Sequence, residues 1–351
     1  MEAYGVSQLQ SLDLAEPTRN RHPFRSMTLS HYCTLFSRLT RAPGPMWDAP
    51  TRNRAPHKPL LLLAVMDLVA RGVITSRVIS ITGELVELNE LFTDYWRSIV
   101  PVTRTSSIAF PFSRLHREPF WKLLPLPGRE ITGAVVDSIG TVSQLRNAAL
   151  GAEIDEALFV HMTSAAGRSA LASALLRSCF SEVGQRSLGE QNSVHGEAFQ
   201  YSRVLEDAAR SVGAGSSVFP PAYKVAARDQ GFRRAIVLNY DHRCAFCGTR
   251  IVTSEGHTVV DAAHIVPWSI SQNDDIRNGM ALCKLCHWGF DEGLIGVSDS
   301  FAVVLSKQVG QAHNAPGVLL NLSGRDILGP EDRALWPHQV HLEWHRTAFR
   351  L

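Results

Sequence analysis

The sequence predicts an α+β chain of two domains: a mainly helical N-terminal domain with short strands, and a smaller, cysteine-stapled C-terminal domain. Three observations carry that expectation. The chain has 351 residues, 45 % hydrophobic and 19 % charged, which is enough apolar material for two cores and too few charges for a largely disordered chain. Apolar residues recur at helical spacing through most of the chain up to Phe180. Further on, four of the six cysteines form two Cys-x2-Cys pairs, Cys244 with Cys247 and Cys283 with Cys286, 35 residues apart.

Residues 1–27 are polar and mixed, and read as a leader. From Thr28 a helix is predicted, with Leu29, Tyr32, Leu35, Phe36 and Leu39 on one face. A loop rich in proline and arginine runs from Arg41 to Lys58. Pro59 then suits the first position of a buried helix over Leu60–Arg71, which Gly72 ends. Val78–Ile81 reads as a strand and Glu84–Trp96 as an amphipathic helix. Between Ile108 and Leu124, prolines among aromatics predict short strands around turns. Helical patterns return from Val142 to Phe180 and close a first domain over 28–185. Residues 186–222 are rich in Ser, Gly, Gln and Asn and read as a linker with one helical patch, Phe199–Val212. The second domain spans 223–351.

The longest apolar run, Leu60–Met66, falls far short of the roughly 20 residues that span a bilayer. Met1–Met27 contains no apolar core of a signal peptide. A soluble, cytoplasmic protein without a membrane partner is expected. The formal charge of +2 is silent about partners, but it averages over a local cluster. Between Thr18 and Lys58, the basic residues Arg19, Arg21, Arg25, Arg38, Arg41, Arg52, Arg54 and Lys58 face a single acid, Asp48. Such clustering suits phosphate contacts.

Two tight cysteine pairs suit a tetrahedral zinc ion better than a disulfide framework, so Cys244, Cys247, Cys283 and Cys286 are the expected structural Zn2+ ligands. Isolated Cys33 and Cys179 read as small buried residues. Between and just beyond the pairs lie Asp261-Ala-Ala-His264, Asn278-Gly-Met-Ala-Leu-Cys283 and Cys286-His287. In this frame His264, Asn278 and His287 resemble the signature residues of the HNH endonucleases, which have the ββα-metal fold. The resemblance covers about Arg228 to Val297. It implies metal-dependent hydrolysis of DNA phosphodiesters. His264, near the end of a predicted strand Thr258–Ile265, becomes the general base, because an unperturbed imidazole titrates near working pH. Asn278 orders the intervening loop, and His287, at the start of the final helix, holds the catalytic Mg2+ or Mn2+. Family members often carry a metal-binding Asp or His directly before the base, where this chain has Ala263. A second metal ligand is therefore sought in Asp291, one helical turn beyond His287, or in Asp261.

The segments Arg54-Ala-Pro-His-Lys-Pro-Leu-Leu-Leu-Leu63 and Phe110-Pro-Phe-Ser-Arg-Leu115 are similar to the sulfur-binding domains of type IV restriction endonucleases, which recognise phosphorothioate-modified DNA. That likeness implies a DNA-reading N-terminal domain in a defence nuclease. Its DNA contacts would come from Arg52, Arg54, His57, Lys58, Phe110, Pro111 and Arg114, with His57 and Lys58 at a charged rim and Phe110 and Pro111 as an apolar wall. Phe110 stands where tyrosine is common and Arg114 where a small residue is expected. The expected partner is modified double-stranded DNA. Because each centre cuts one strand, a homodimer is expected. The alternatives are an HNH nuclease reading another modification or plain DNA, a nuclease effector toxin, and a zinc-containing DNA-binding protein without catalysis.

Overall fold

The computed structural model describes residues 27–81, 85–211, 224–253, 256–311, 313–315 and 317–351. The expected leader apart from Met27, the arginines at 19, 21 and 25, the helix start at Glu84 and the Gly/Ser/Pro stretch 212–223 lie outside the described residues.

Helix α1 (Leu29–Ser37) starts where the Thr28 side chain accepts the His31 N–H, and it buries Tyr32 and Phe36. Helix α2 (His57–Ala70) is buried on nearly every side, as its unbroken Leu60–Leu63 run requires. It begins two residues before Pro59. The proline still falls in the first turn, where its missing N–H costs no intrahelical bond. Gly72 (φ +72°) ends the helix as expected. Strand β1 (Val78–Ser80) and helix α3 (Leu85–Ile99) follow.

Residues 108–124 depart from the expected strands. Ala109–Arg114 forms helix α4, with Pro111 again in the first turn, and only Trp121–Pro125 is extended, as β2. Helices α5 (Gly133–Ser138) and α6 (Val142–Ala148) lead into β3 (Ala149–Ile154), a strand inside the stretch expected to be helical. Its neighbours impose that conformation: β3 is the centre of an antiparallel sheet ordered β1-β3-β2, with Ala152 opposite both Ile79 and Leu123. Helices α7 (Glu156–Thr163) and α8 (Ala165–Cys179) complete this region.

The described part of the segment read as a linker, 186–211, is helical. Helix α9 (Glu182–Ser211) runs unbroken for 30 residues, about 45 Å, across the expected boundary at 185. Buried apolar side chains fall into two clusters, one from Tyr32 to Leu188 and one from Tyr201 to Leu342, and α9 contributes to both. Helix α10 (Val225–Asn239) packs along α9, and an ion pair from Arg234 to Glu87 (2.7 Å) ties α10 to α3.

Beyond α10 come β4 (Val260–His264), the short helix α11 (Trp268–Ser271), β5 (Gly279–Cys283) and α12 (Lys284–Asp291). The chain continues through the β6 (Ile295–Val297) and β7 (Val303–Leu305) pair to α13 (Gln339–Phe349), so the helix carrying His287 is not the last. No helix among the described residues is long and apolar enough to cross a membrane.

Gly231 sets the approach of α10 to α9. A Cβ there would lie 2.6 Å from the Ala198 carbonyl oxygen and 2.9 Å from Tyr201 Cδ1. Gly231→Ala should destabilise the protein by about 1–3 kcal/mol through this clash, outweighing the gain of up to about 1 kcal/mol in helix propensity. Urea unfolding measures the difference; an unchanged or higher midpoint contradicts the close approach.

Candidate active site

The four cysteines converge at one end of the β4–β5 ribbon. In its antiparallel register Val260 faces Cys283, Ala262 faces Ala281 and His264 faces Gly279. The first pair sits in a turn closed by Gly248 (φ +72°), whose N–H donates to the Cys244 carbonyl at 3.0 Å. The Ala245 N–H donates to the Ala281 carbonyl at 2.8 Å and docks this turn on β5. Cys283 ends β5 and caps α12, which places Cys286 in that helix's first turn. The four sulfurs lie within 4.8 Å of one another, a donor set and spacing that could hold structural zinc. Hydrogen bonds among the thiols hold Cys247 and Cys283 low, Cys283 at about 6, and push Cys244 and Cys286 up.

His264 lies at the other end of the ribbon, half-buried. One face of its ring stacks on Phe232 of α10, with centroids 4.0 Å apart and planes 8° apart. Its Nε2 lies 2.8 Å from Oδ1 of Asp274. Asp274 is only 4 % exposed; its Oδ2 accepts from the Tyr201 hydroxyl of α9 at 2.8 Å and faces Arg228 Nε of α10 at 3.3 Å. The Arg228 guanidinium in turn covers the Trp268 ring at 3.7 Å. Opposite His264, a Cβ on Gly279 would meet Ile236 Cδ1 at 2.5 Å and Phe232 Cζ at 2.8 Å, so glycine is what lets α10 reach the ribbon.

Asn278 is completely buried. Its Nδ2 donates to the Val266 and Asn273 carbonyls at 3.1 and 3.0 Å, and its Oδ1 accepts the Val266 N–H at 2.9 Å. The Asn278 carbonyl accepts the Ile265 N–H at 2.8 Å. One amide side chain therefore closes the loop between β4 and β5. His287 is the fourth residue of α12, and its Nε2 is 3.5 Å from Oδ2 of Asp291, which helical spacing puts on the same face. Burial raises the Asp291 carboxyl, partly offset by His287. Asp261 instead pairs with Arg233 of α10 at 2.9 Å. Beneath α12, His345 of α13 stacks on Phe290 at 3.7 Å and donates from Nε2 to the Phe290 carbonyl at 2.9 Å.

The N-terminal candidates divide differently. The His57 ring packs against Phe110 (4.8 Å between centroids), Trp96 (4.7 Å) and Trp47 (5.2 Å), and Arg114 lies over Phe110 at 4.0 Å. Burial, with help from Arg114, pushes His57 down to about 4, so the ring is neutral at pH 7. Lys58 is buried in an ion pair with Glu118 at 2.5 Å, and its charge is matched within the fold. Pro111 is buried in α4, and Arg114 also donates to the Val136, Asp137 and Ile139 carbonyls at the end of α5. Arg52 donates to the Arg177 and Phe180 carbonyls, Arg41 to the Cys179 carbonyl and Arg54 to the Arg41 carbonyl. Arg41 and Arg52 thus satisfy orphan carbonyls at the C-terminus of α8, where the helix dipole favours cations.

Around His264, Asp274, Tyr201, Arg228 and Phe232 were not anticipated from the sequence. The adjacent carboxylates Asp274 and Asp275, ten and eleven residues after His264, were a readable signal, as was the Arg228-Asp-Gln-Gly-Phe232 run of α10; Tyr201 of α9 had none. Around His57 the unanticipated residues are Trp47 and Trp96.

Residues 244–298 match the family model described as HNH endonuclease, and this segment is an HNH endonuclease domain. A solved structure described as a modification-dependent TagI restriction endonuclease is similar over 33 % of this chain and 36 % of its own, at 22 % identity and a TM-score of 0.26. The chain thus spans about a third of that protein's length. No curated protein matches.

Two predictions follow the geometry. Asn278→Ala strands the Val266 amide and carbonyl without their partner, and should cost roughly 2–4 kcal/mol in denaturant unfolding; a loss below about 1 kcal/mol contradicts the tether. His57 is held about 4 in the fold against 6.5 ordinarily, so between those values the unfolded chain binds the proton and the native chain does not. Its contribution to stability is complete above about pH 6.5 and lost as pH falls to about 4. His57→Phe should flatten the stability–pH curve in that window, and an unchanged slope contradicts the buried neutral ring.

Proposed function

We propose that this protein is a metal-dependent DNA endonuclease whose N-terminal region selects modified, phosphorothioate-bearing DNA. One observation carries the nuclease reading: within a segment matching the HNH endonucleases, the β4–β5 ribbon presents His264 beside a loop closed by Asn278, and His287 follows in the next helix. Hydrolysis joins a water oxygen to phosphorus as the bond to the leaving oxygen breaks. His264 accepts the proton of that water. Asn278 holds the loop that follows His264, so the base keeps one position. His287 and Asp291 offer an imidazole and a carboxylate from consecutive turns, a donor pair that fits Mg2+ or Mn2+ completed by water and phosphate oxygens. When bound, that ion stabilises negative charge on the phosphate. Asp261, engaged by Arg233, is the weaker ligand candidate. The four thiols take a structural Zn2+, outside the chemistry.

The sulfur reading is supported by the likeness around Arg54–Leu63 and Phe110–Leu115, and by the way His57, Phe110 and Arg114 come together. Sulfur in place of a phosphate oxygen is larger and more weakly hydrated, so it favours aromatic carbon and a neutral imidazole beside a cation. The cation next to Phe110 is Arg114 rather than Lys58. Arg52 and Arg54 keep part of their guanidinium edges for phosphates. Cutting both strands calls for two chains on one DNA.

The test incubates the protein and its His264→Ala variant with plain, methylated and phosphorothioated plasmids, with and without Mg2+ or Mn2+. Metal-dependent cleavage, strongest on phosphorothioated DNA and reduced about 100-fold or more in the variant, is expected. DNA binding without any cleavage identifies a non-catalytic binding protein instead, and equal cleavage of plain and phosphorothioated DNA removes the sulfur specificity. Metal analysis should find about one zinc per chain, lost when both cysteine pairs are replaced.

A further inference from the structure

Resting on the nuclease reading above, we infer that Asp274 is the positioning residue of the base: its carboxylate fixes the proton of His264 on Nε2 and leaves Nδ1 as the nitrogen that takes the proton of water.

The contacts define this role. A carboxylate only accepts hydrogen bonds, so the 2.8 Å contact between His264 Nε2 and Asp274 Oδ1 places the imidazole proton on Nε2. A neutral imidazole has one lone-pair nitrogen, which is then Nδ1. The stack on Phe232 fixes the ring plane, and of the two orientations in that plane the one observed places Nε2 at Asp274, a contact that a half-turn about the Cβ–Cγ bond would lose. As Nδ1 gains a proton, the ring becomes a cation beside a fixed anion, which favours the transfer.

Asp274 is itself held. Its second oxygen meets Tyr201 at 2.8 Å and Arg228 at 3.3 Å, groups from two different helices. With 4 % of its surface exposed, the residue has little freedom to follow any other partner. The division is clean: Oδ2 anchors the carboxylate to α9 and α10, and Oδ1 addresses the base. A purely structural aspartate needs only the first of these. The neighbouring Asp275 shows that alternative, with both oxygens spent on Arg277 and the turn it begins.

Two readouts test this independently of each other. In 15N-histidine NMR at a pH where the ring is neutral, the His264 signal, assigned by its loss in His264→Ala, should report the Nε2–H tautomer in the wild type and a mixture in Asp274→Asn. A wild-type Nδ1–H tautomer, or an unchanged spectrum in Asp274→Asn, overturns the proposal without any reference to activity. In the cleavage assay, Asp274→Asn should lower kcat by about 10–100-fold with KM within about twofold of wild type. In the His264→Ala background the same change should cost less than about twofold, because the residue to be positioned is gone. A loss confined to KM, a full additional loss in that background, or no loss at all overturns it. Tyr201→Phe, which keeps the carboxylate and removes one anchor, provides a milder variant and should lower kcat in the same direction by less than Asp274→Asn. Absence of cleavage by the wild type overturns the nuclease reading and this role in catalysis with it. Cleavage that depends on His264 but not on Asp274 overturns this inference alone.

Discussion

Five residue pairs join β4 to β5, and both ends of that short ladder are fixed by side chains rather than by the ladder's own hydrogen bonds. At one end Cys283 faces Val260, and its sulfur belongs to a cluster that draws in Cys244, Cys247 and Cys286. At the other, His264 faces Gly279, and the preceding Asn278 binds back across the loop to Val266. A two-stranded ribbon alone is marginal in water. Held at both ends, it becomes a ruler that sets His264 and the start of α12 at fixed places relative to each other. The position of His264, the position of His287 and the spacing of the thiols are consequences of this one register.

The ribbon is too narrow to position a side chain in depth, and α9 and α10 supply that dimension. Gly279 has no Cβ, so Phe232 can approach and carry the His264 ring. Gly231 lets α10 lie close on α9, which brings Tyr201 and Arg228 to the same carboxylate. Because α9 also contributes Leu188 to the N-terminal apolar cluster, one continuous helix joins that cluster to the helix pair behind His264. The Arg234–Glu87 ion pair reinforces that connection.

What could be read in the sequence was chemistry at fixed local spacing. The Cys-x2-Cys pairs, the His264–Asn278–His287 order and the i, i+4 relation of His287 to Asp291 each depend on a few neighbouring residues, and the structure brings the thiols together and puts His287 beside Asp291. Helices α1, α2 and α3 were legible for the same reason, since their apolar spacing is local. Long-range packing was not. Helix α9 carries repeated Gly and Ser, weak helix formers, yet buried Leu188, Tyr201 and Leu205 hold it as a helix. Strand β3 lacks the β-branched alternation of a strand and is extended because β1 and β2 flank it. Arg41 and Arg52 looked free for phosphates because sequence does not show the carbonyls at the end of α8 that they bind.

On the proposed reading, metal held by the four thiols and the Asn278 tether together fix the β4–β5 ribbon that carries His264. Amide hydrogen exchange before and after a strong chelator strips the thiol cluster tests it most directly. Protection of the amides from Val260 to His264 and from Gly279 to Cys283 should collapse, while α2 and α8, packed in the other apolar cluster, keep theirs. Undiminished protection of the ribbon after complete removal of the ion would contradict the account.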